Sequence, residues 1–80
     1  MEIKNNTVVS MRYIMKDNKG EILEDNTNAG PVQYVHGSGS IVSTLESSLN
    51  GLRAGQRKFV VISDERLRGT FYFDIIIICA

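Results

Sequence analysis

Alternation of hydrophobic and polar residues with a period of two marks the first part of the chain. Between residues 7 and 16, the apolar positions on one face are Val9, Met11, Tyr13 and Met15. A period of two is typical of a half-buried β-strand. The next four residues, Asp-Asn-Lys-Gly at 17–20, predict a turn with its glycine at positive φ. Residues 21–25 then return as a second strand, so the pair is predicted to form a hairpin.

Three later segments also have the pattern of strands, at residues 32–35, 57–63 and 70–79. In the segment 57–63, both faces are largely apolar. The last strand divides into two faces, one with Phe71, Phe73, Ile75 and Ile77 and the other with Tyr72, Asp74, Ile76 and Ile78.

One segment has helical periodicity, with apolar residues at Ile41, Val42, Leu45, Leu49 and Leu52. It predicts an amphipathic helix of about three turns. Ser40 is the favoured N-cap, because the Ser-x-x-Glu pattern at residues 43–46 would begin the helix a turn later. Gly51 is suited to end it in the left-handed conformation. The predicted architecture is α+β, a small and mainly antiparallel sheet of about four or five strands with one helix covering its apolar face.

Composition and charge exclude several kinds of partner. Nine basic and nine acidic residues give a net charge of zero with the signs interspersed, so neither nucleic acid nor an anionic membrane is an expected partner. With 80 residues and 42% hydrophobic content, we expect one domain over residues 1–80. The longest apolar run, Ile75 to Ala80, is too short to span a bilayer. The first residues, MEIKNN, lack a hydrophobic signal segment, so the expected location is cytoplasmic.

Metal and cofactor chemistry has little support in the sequence. Cys79 is the single cysteine and His36 the single histidine, so no metal site and no cofactor are expected. His36 is expected to be a turn residue before the glycine loop at 37–39. The backbone donors at the start of the helix favour a ligand there, and the alternative is that the glycines only form a tight turn. Phosphate is disfavoured because the lysine of a P-loop is absent and the glycine spacing fits no dinucleotide motif.

Four segments together resemble the FKBP-type peptidyl-prolyl cis/trans isomerases, most closely their SlyD-like bacterial branch. They are VVS with Tyr13 at residues 8–13, DNKGEILED at 17–25, PVQYVHGSGSIVSTLESSLNGLRAGQ at 31–56 and GTFYFDIII at 69–77. The central segment is the most specific, because its aromatic residue, His, Gly-x-Gly, two aliphatics, Leu-Glu and closing Gly follow the order of the family. The resemblance implies a curved sheet wrapped on the helix, with isomerisation of X-Pro bonds in peptides or unfolded chains.

The resemblance also implies a set of site residues. A proline ring would enter an apolar pocket between helix and sheet, and the backbone N–H of Val42 would bind a substrate carbonyl. Tyr13 and Glu24 are the catalytic candidates, with Glu24 bound to the hydroxyl of Tyr13. The substrate-binding candidates are Leu23, Val32, Ile41, Val42, Leu45 and Phe73.

The sequence departs from the family pattern in two places. Glu24 stands where the family usually has aspartate. After Ser63, the triplet Leu67-Arg68-Gly69 occupies the place of an Ala-Tyr-Gly that carries a pocket tyrosine, and neither a flap, nor an inserted chaperone domain, nor a His-rich tail is present. The expected function is therefore a weak isomerase of minimal form. The alternatives are a non-catalytic module that binds peptides or self-assembles, and a shortened chain from which the flap was cut.

The outer face of the last strand predicts self-association. Ile76 and Ile78 point away from the helix, and burial of each such side chain is worth about 1.5–3 kcal/mol. The expected result is a homo-oligomer through Ile76 and Ile78, unless residues 1–6 fold across this face.

Overall fold

The computed structural model describes residues 2–64 and 69–80 of the 80-residue chain. Five strands and one helix follow one another in the order β1 (Val8–Lys16), β2 (Ile22–Asp25), β3 (Val32–Val35), α1 (Ser43–Leu49), β4 (Arg57–Asp64) and β5 (Gly69–Cys79). The pairs are antiparallel throughout. The predicted α+β class, a mainly antiparallel sheet with one helix, is therefore confirmed.

The sheet has the strand order β2-β1-β5-β4, and β3 also pairs with β1. The first half of β1 pairs with β3 and its second half with β2, whereas β5 occupies the other edge of β1. Strands β2 and β3 thus form one interrupted edge strand, and the loop 26–31 leaves the sheet between them. This arrangement places the end of β2 beside Tyr13.

The core lies between α1 and the inner face of the sheet. Alternate residues of β1, β4 and β5 point inward, as the period of two predicts, and Leu45 and Leu49 of α1 join them. The N-terminal residue Ile3 completes this core at 1% exposure. The buried hydrophobic residues of the sheet are Val9, Met11, Tyr34, Val60, Ile62, Ile75 and Ile77.

The helix is shorter than the sequence predicts. It has seven residues, its N-cap is Val42, and no side chain caps it, so the expected cap at Ser40 is wrong. The hydroxyl of Ser40 instead accepts a hydrogen bond from Ser38 at 2.9 Å. The chain is still in a turn at Gly39, which has a φ of +78°. Val42 is extended, with ψ 131°, so the helix begins only after it. Gly51 follows the helix with a φ of +84°, the left-handed conformation expected of it. Within residues 2–64 and 69–80, no helix is long and apolar enough to cross a lipid bilayer.

Residues 2–6 lie away from the outer face of β5. The N–H of Ile3 donates to the carbonyl of Leu52, and the N–H of Gly51 donates to the carbonyl of Ile3, both at 2.8 Å. Glu2 forms a salt bridge of 3.0 Å with Arg53. The N-terminal residues that the structure describes therefore extend the core beside the helix, and Ile78 stays 41% exposed.

Candidate functional site: an apolar groove between helix and sheet

A groove with a volume of about 380 Å³ opens between the start of α1 and the inner face of the sheet. This volume is within the usual range of small-molecule sites, about 300–1,000 Å³. Most of its walls are hydrocarbon or aromatic, and Glu24 and Ser40 are its polar members. The lining residues are Met11, Tyr13, Met15, Glu24, Val32, Ser40, Ile41, Val42, Leu45, Ile62, Phe71, Phe73 and Ile75.

The groove collects all but one of the site residues predicted from the sequence. Leu23 is the exception, because it does not line the groove and is 47% exposed. Successive residues of a strand point to opposite faces, so the orientation that brings Glu24 to the groove turns Leu23 away from it. The predicted residues that do line it are Tyr13, Glu24, Val32, Ile41, Val42, Leu45 and Phe73.

Tyr13 and Glu24 meet at the rim of the groove. The hydroxyl of Tyr13 donates a hydrogen bond to Oε2 of Glu24 at 2.5 Å. Glu24 pairs with Met15 across the strands, so Tyr13 is its diagonal neighbour on the same face. The hydrogen bond to Glu24, with burial and the negative charge of that carboxylate, raises the pKa of Tyr13 to about 12. Tyr13 is therefore neutral at pH 7 and directs its hydroxyl proton at Glu24.

The ring of Tyr13 also packs beside Phe73, with 6.3 Å between ring centroids and an interplanar angle of 49°. Tilted aromatic pairs at such distances are favourable. The two rings make one side of the groove rigid, because β1 and β5 are hydrogen-bonded neighbours and pair Tyr13 with Ile75 and Met15 with Phe73.

Asn26 fixes the backbone on which Tyr13 sits. Its Oδ1 accepts from the N–H of Tyr13 at 2.6 Å, and its Nδ2 donates to the carbonyl of Met11 at 3.3 Å. The N–H of Asn26 donates to the carbonyl of Tyr13 at 3.2 Å. The sequence places Asn26 in a polar loop, and its position directly after a strand is the one signal that could have indicated this role.

Val42 lies at the mouth of the groove, before the first residue of α1. Its side chain is 43% exposed, and its φ is −54°. Within residues 2–64 and 69–80, no group accepts a hydrogen bond from the Val42 amide. A peptide carbonyl at the mouth of the groove is an acceptor of the right kind for this donor.

Six lining residues were not predicted from the sequence to be site residues. Four of them are apolar residues of strands whose inward face the period of two already identifies, so the alternation could have found them, whereas Ile62 lies in β4, whose two faces are both largely apolar. Ser40 is the sixth, and it enters the lining because the helix starts after it. The six are Met11, Met15, Ser40, Ile62, Phe71 and Ile75.

Comparison with known proteins assigns the fold and groove to a family. The sequence model described as FKBP-type peptidyl-prolyl cis-trans isomerase matches residues 1–70. The chain belongs to this family. The predicted resemblance is therefore confirmed, and the sheet with its one helix is consistent with the fold of this family.

Three relatives show how far the similarity extends, and each is named FKBP-type peptidyl-prolyl cis-trans isomerase SlyD. The protein from Vibrio cholerae is 32% identical over 76 residues, which are 95% of this chain and 38% of the relative. The protein from Escherichia coli K12 is 28% identical over 71 residues, 89% of this chain and 36% of the relative. The protein from Treponema pallidum is 36% identical over 62 residues, 78% of this chain and 35% of the relative. The chain thus spans little more than a third of the length of these relatives.

The loop that departs most from the FKBP pattern cannot be placed against the groove. Leu67 and Arg68, which occupy the position of the family's Ala-Tyr, lie outside the described residues. Gly69 is described and begins β5. The described groove of this FKBP-family chain is therefore built by β1, β2, β3, α1 and its approach, β4 and β5.

A second cavity of about 280 Å³ lies on the far side of α1, lined by Asn5, His36, Glu46, Ser47 and Asn50. His36 lies in the turn after β3, as expected, and is 4% exposed. Its Nδ1 is 3.0 Å from the hydroxyl of Tyr34, within hydrogen-bond distance. Burial, with the negative charge of Glu46, raises the pKa of Tyr34 to about 12. Among the described residues, no three metal-binding side chains cluster here or elsewhere.

Proposed function

We propose that this FKBP-family chain is a peptidyl-prolyl cis/trans isomerase of minimal form, acting on X-Pro bonds in peptides or unfolded chains. One observation carries the proposal: Tyr13, Glu24 and Phe73 line the same apolar groove of about 380 Å³, and Val42 lies at its mouth. Membership of the family supports the reaction class. We further propose that residues 1–80 act as one domain.

The chemistry asks for no nucleophile or general base. The barrier to rotation about an X-Pro bond is about 18–20 kcal/mol and arises from amide resonance. A site speeds the exchange if it binds the twisted amide more tightly than the planar one. Each factor of ten in rate needs about 1.4 kcal/mol of this preference. The residues of the groove are therefore required only to bind the X-Pro segment, to orient it and to exclude water from it.

Each part of the groove has a separate task in this proposal. The planar amide is the more polar form and is best solvated by water, so an apolar wall of Leu45 and Phe73 favours the twisted form. The Val42 amide donates to the substrate carbonyl and holds it in place. Tyr13 closes one side, and Glu24 keeps its hydroxyl oriented. The apolar lining next to Val32 and Ile41 favours an apolar residue before the proline.

Substitution at Val42 tests the donor directly. Proline lacks the backbone N–H, and its φ of about −65 ± 15° matches the −54° found at Val42. We expect Val42→Pro to lower kcat/KM by about tenfold, since a hydrogen bond lost from a groove costs about 1–3 kcal/mol. Val42→Ala is the matched control, because it shortens the side chain and keeps the N–H. We expect a smaller loss from Val42→Ala.

The assay is proline-limited refolding of a substrate protein, paired with titration of an X-Pro peptide followed by backbone NMR. The proposal requires a refolding rate above the uncatalysed one and shifts concentrated at Val42 and its neighbours. Equal refolding rates with and without this protein would refute the proposed isomerase activity. Chemical-shift changes concentrated outside the groove would refute the groove as the peptide-binding site.

A non-catalytic peptide-binding module is the second candidate. It is favoured by the sequence departure after Ser63, where Leu67-Arg68-Gly69 occupies the place of the family's Ala-Tyr-Gly with its pocket tyrosine. Peptide shifts at the groove without any acceleration of refolding would establish this candidate. Self-association through Ile76 and Ile78 is a separate proposal, because those side chains project from the opposite face of β5 and leave the groove open.

A further inference from the structure

The outer face of β1, β5 and β4, on the side of the sheet away from α1, carries a larger apolar patch than Ile76 and Ile78 alone. Phe59 is 62% exposed, Val61 is 49% exposed and Ile78 is 41% exposed. The rings of Phe59 and Tyr72 stack on this face, with 6.1 Å between their centroids and 25° between their planes. Contiguous apolar surface of this kind usually marks an interaction site. We call these residues, with Ile14 and Ile76, the outer patch.

Charges cross this patch in three neighbouring rows set by the strand register, and the first row has one cation, Lys16 of β1, beside Tyr72 of β5. In the second row, Asp74 of β5 stands between Ile14 of β1 and Phe59 of β4. In the third row, Ile76 stands between Arg12 and Arg57. Neighbouring rows are two residues, about 6.6 Å, apart along the strands. The second row is therefore anionic at its centre and the third is cationic at both ends.

We infer that the occupant of the outer patch is a second copy of this chain, packed face to face with its strands antiparallel to the first. The two-fold axis lies in the interface, perpendicular to the strands and between the second and third rows. Each Asp74 then faces Ile76 of the second copy and lies between the arginines beside it. Each Phe59 faces Arg57 of the second copy, an arrangement that favours cation–π contact. Every interaction occurs twice, as an isologous interface requires.

The charge pattern selects this arrangement against others. An axis that runs along β5 itself would place Asp74 opposite Asp74, and like charges across an interface are repulsive. A polyanion would meet the carboxylate of Asp74 at the centre of the patch. Within residues 2–64 and 69–80, the one salt bridge is Arg53 with Glu2, so no cation of the same copy pairs with Asp74.

Arg57 carries the pairing more than Arg12 does. The guanidinium of Arg12 already donates to the carbonyls of Asn26, Thr27 and Ala29 in the loop after β2. Arg57 begins β4 at the sheet edge, and it is exposed. The ion pair across the interface is therefore Asp74 with Arg57 of the second copy.

The size of the face predicts a weak dimer. Strand β5 has 11 residues, so three adjacent strands cover about 36 by 14 Å, or roughly 500 Å² on each copy. This is below the ~800 Å² per partner of a standard stable interface. The dimer is therefore expected to depend on concentration. Its two grooves face away from one another, and each stays open.

Sedimentation velocity between about 5 and 500 μM, with three samples of charge variants, tests the arrangement. Asp74→Lys makes the second and third rows both cationic, and Arg57→Glu makes the anionic row face an anion, so each variant alone is expected to dimerise at least tenfold more weakly. An equimolar mixture of the two variants restores both ion pairs and is expected to recover dimerisation. Both side chains are exposed, and unchanged circular dichroism is the control for folding.

Each outcome decides the inference. Weak single variants with recovery in the mixture support the antiparallel face-to-face dimer. A wild type that is monomeric at the highest concentration overturns it. A dimer that both single variants retain places the interface elsewhere, and single variants that the mixture fails to restore overturn the register. The refolding assay is independent of all these outcomes, because the groove lies on the other face.

Discussion

Substitutions at two isoleucines of β5 distinguish an effect on peptide binding in the groove from an effect on the stability of the fold. Ile75 and Ile77 are 1% and 0% exposed, lie two residues apart and point to the same side of the sheet. Ile75 lines the groove, whereas Ile77 does not. Replacing each with valine removes one buried methyl group and changes nothing else. Ile75→Val and Ile77→Val are therefore a matched pair.

The structure gives different expectations for folding and for binding. Each Ile→Val change is expected to lower the free energy of unfolding by about 0.5–1.5 kcal/mol. A domain of 80 residues has a stability of about 4–12 kcal/mol, so both variants stay folded. Loss of a methyl contact in the groove is worth about 0.8 kcal/mol, or about a fourfold rise in the Kd of an X-Pro peptide. This rise is expected for Ile75→Val alone.

Urea unfolding followed by circular dichroism measures the first effect, and peptide titration by NMR measures the second. The chain has no tryptophan, so a fluorescent peptide can also report binding without interference. Equal weakening of binding in both variants would show that binding follows global stability. An unchanged Kd in Ile75→Val would show that the substrate does not reach the floor of the groove. Either result refutes the groove as described.

Two further predictions concern the tyrosines. Tyr13→Phe is expected to lower kcat/KM about tenfold. Glu24→Gln is expected to lower it only a few fold, because the glutamine side-chain oxygen still accepts the hydrogen bond from Tyr13. A larger loss from Glu24→Gln than from Tyr13→Phe would reverse the assigned roles. The pKa of Tyr34 is raised to about 12, so folding keeps this group neutral up to a higher pH than the unfolded chain does. The contribution of Tyr34 to the free energy of unfolding is complete below about pH 10 and is lost between about pH 10 and 12. The loss is at most about 2.7 kcal/mol over these two pH units, before screening by water is taken into account. Urea unfolding at pH 9 and pH 11.5 should show a smaller difference in Tyr34→Phe than in the wild type, and equal differences would contradict the role of burial.

The sheet could be predicted from the sequence because its signal is local. A period of two fixes which side chains point inward once one face is buried, so the inner residues Ile75 and Ile77 follow from the alternation itself. The same argument identifies Ile76 and Ile78 as outward. Residue type and spacing were enough here, since each strand needs only its own pattern to define its faces.

The predictions for the helix start and for Leu23 were wrong for two different reasons. Ser40 has good capping chemistry, but its hydroxyl is bound by Ser38 and the loop reaches further before the helix begins. Leu23 is apolar, but Glu24 next to it takes the inward position. The course of the loop before the helix is not revealed by helical periodicity, whereas the opposite orientations of Leu23 and Glu24 follow from the period of two.

The polar loop after β2 explains why the groove has a fixed wall. Between the last pair with β3 at Met11 and the first pair with β2 at Ile14, Tyr13 has no partner residue at this edge of β1, so its backbone donor and acceptor would be left without a partner strand. Buried backbone groups need partners. Asn26 supplies them through its side chain and its own N–H, and the guanidinium of Arg12 holds the loop carbonyls in turn. Because β2 continues directly into Asn26, the contacts that hold Tyr13 also hold Glu24 two residues earlier. A segment that composition marks only as a connection therefore determines the geometry of the pair Tyr13 and Glu24, for which we propose a catalytic role.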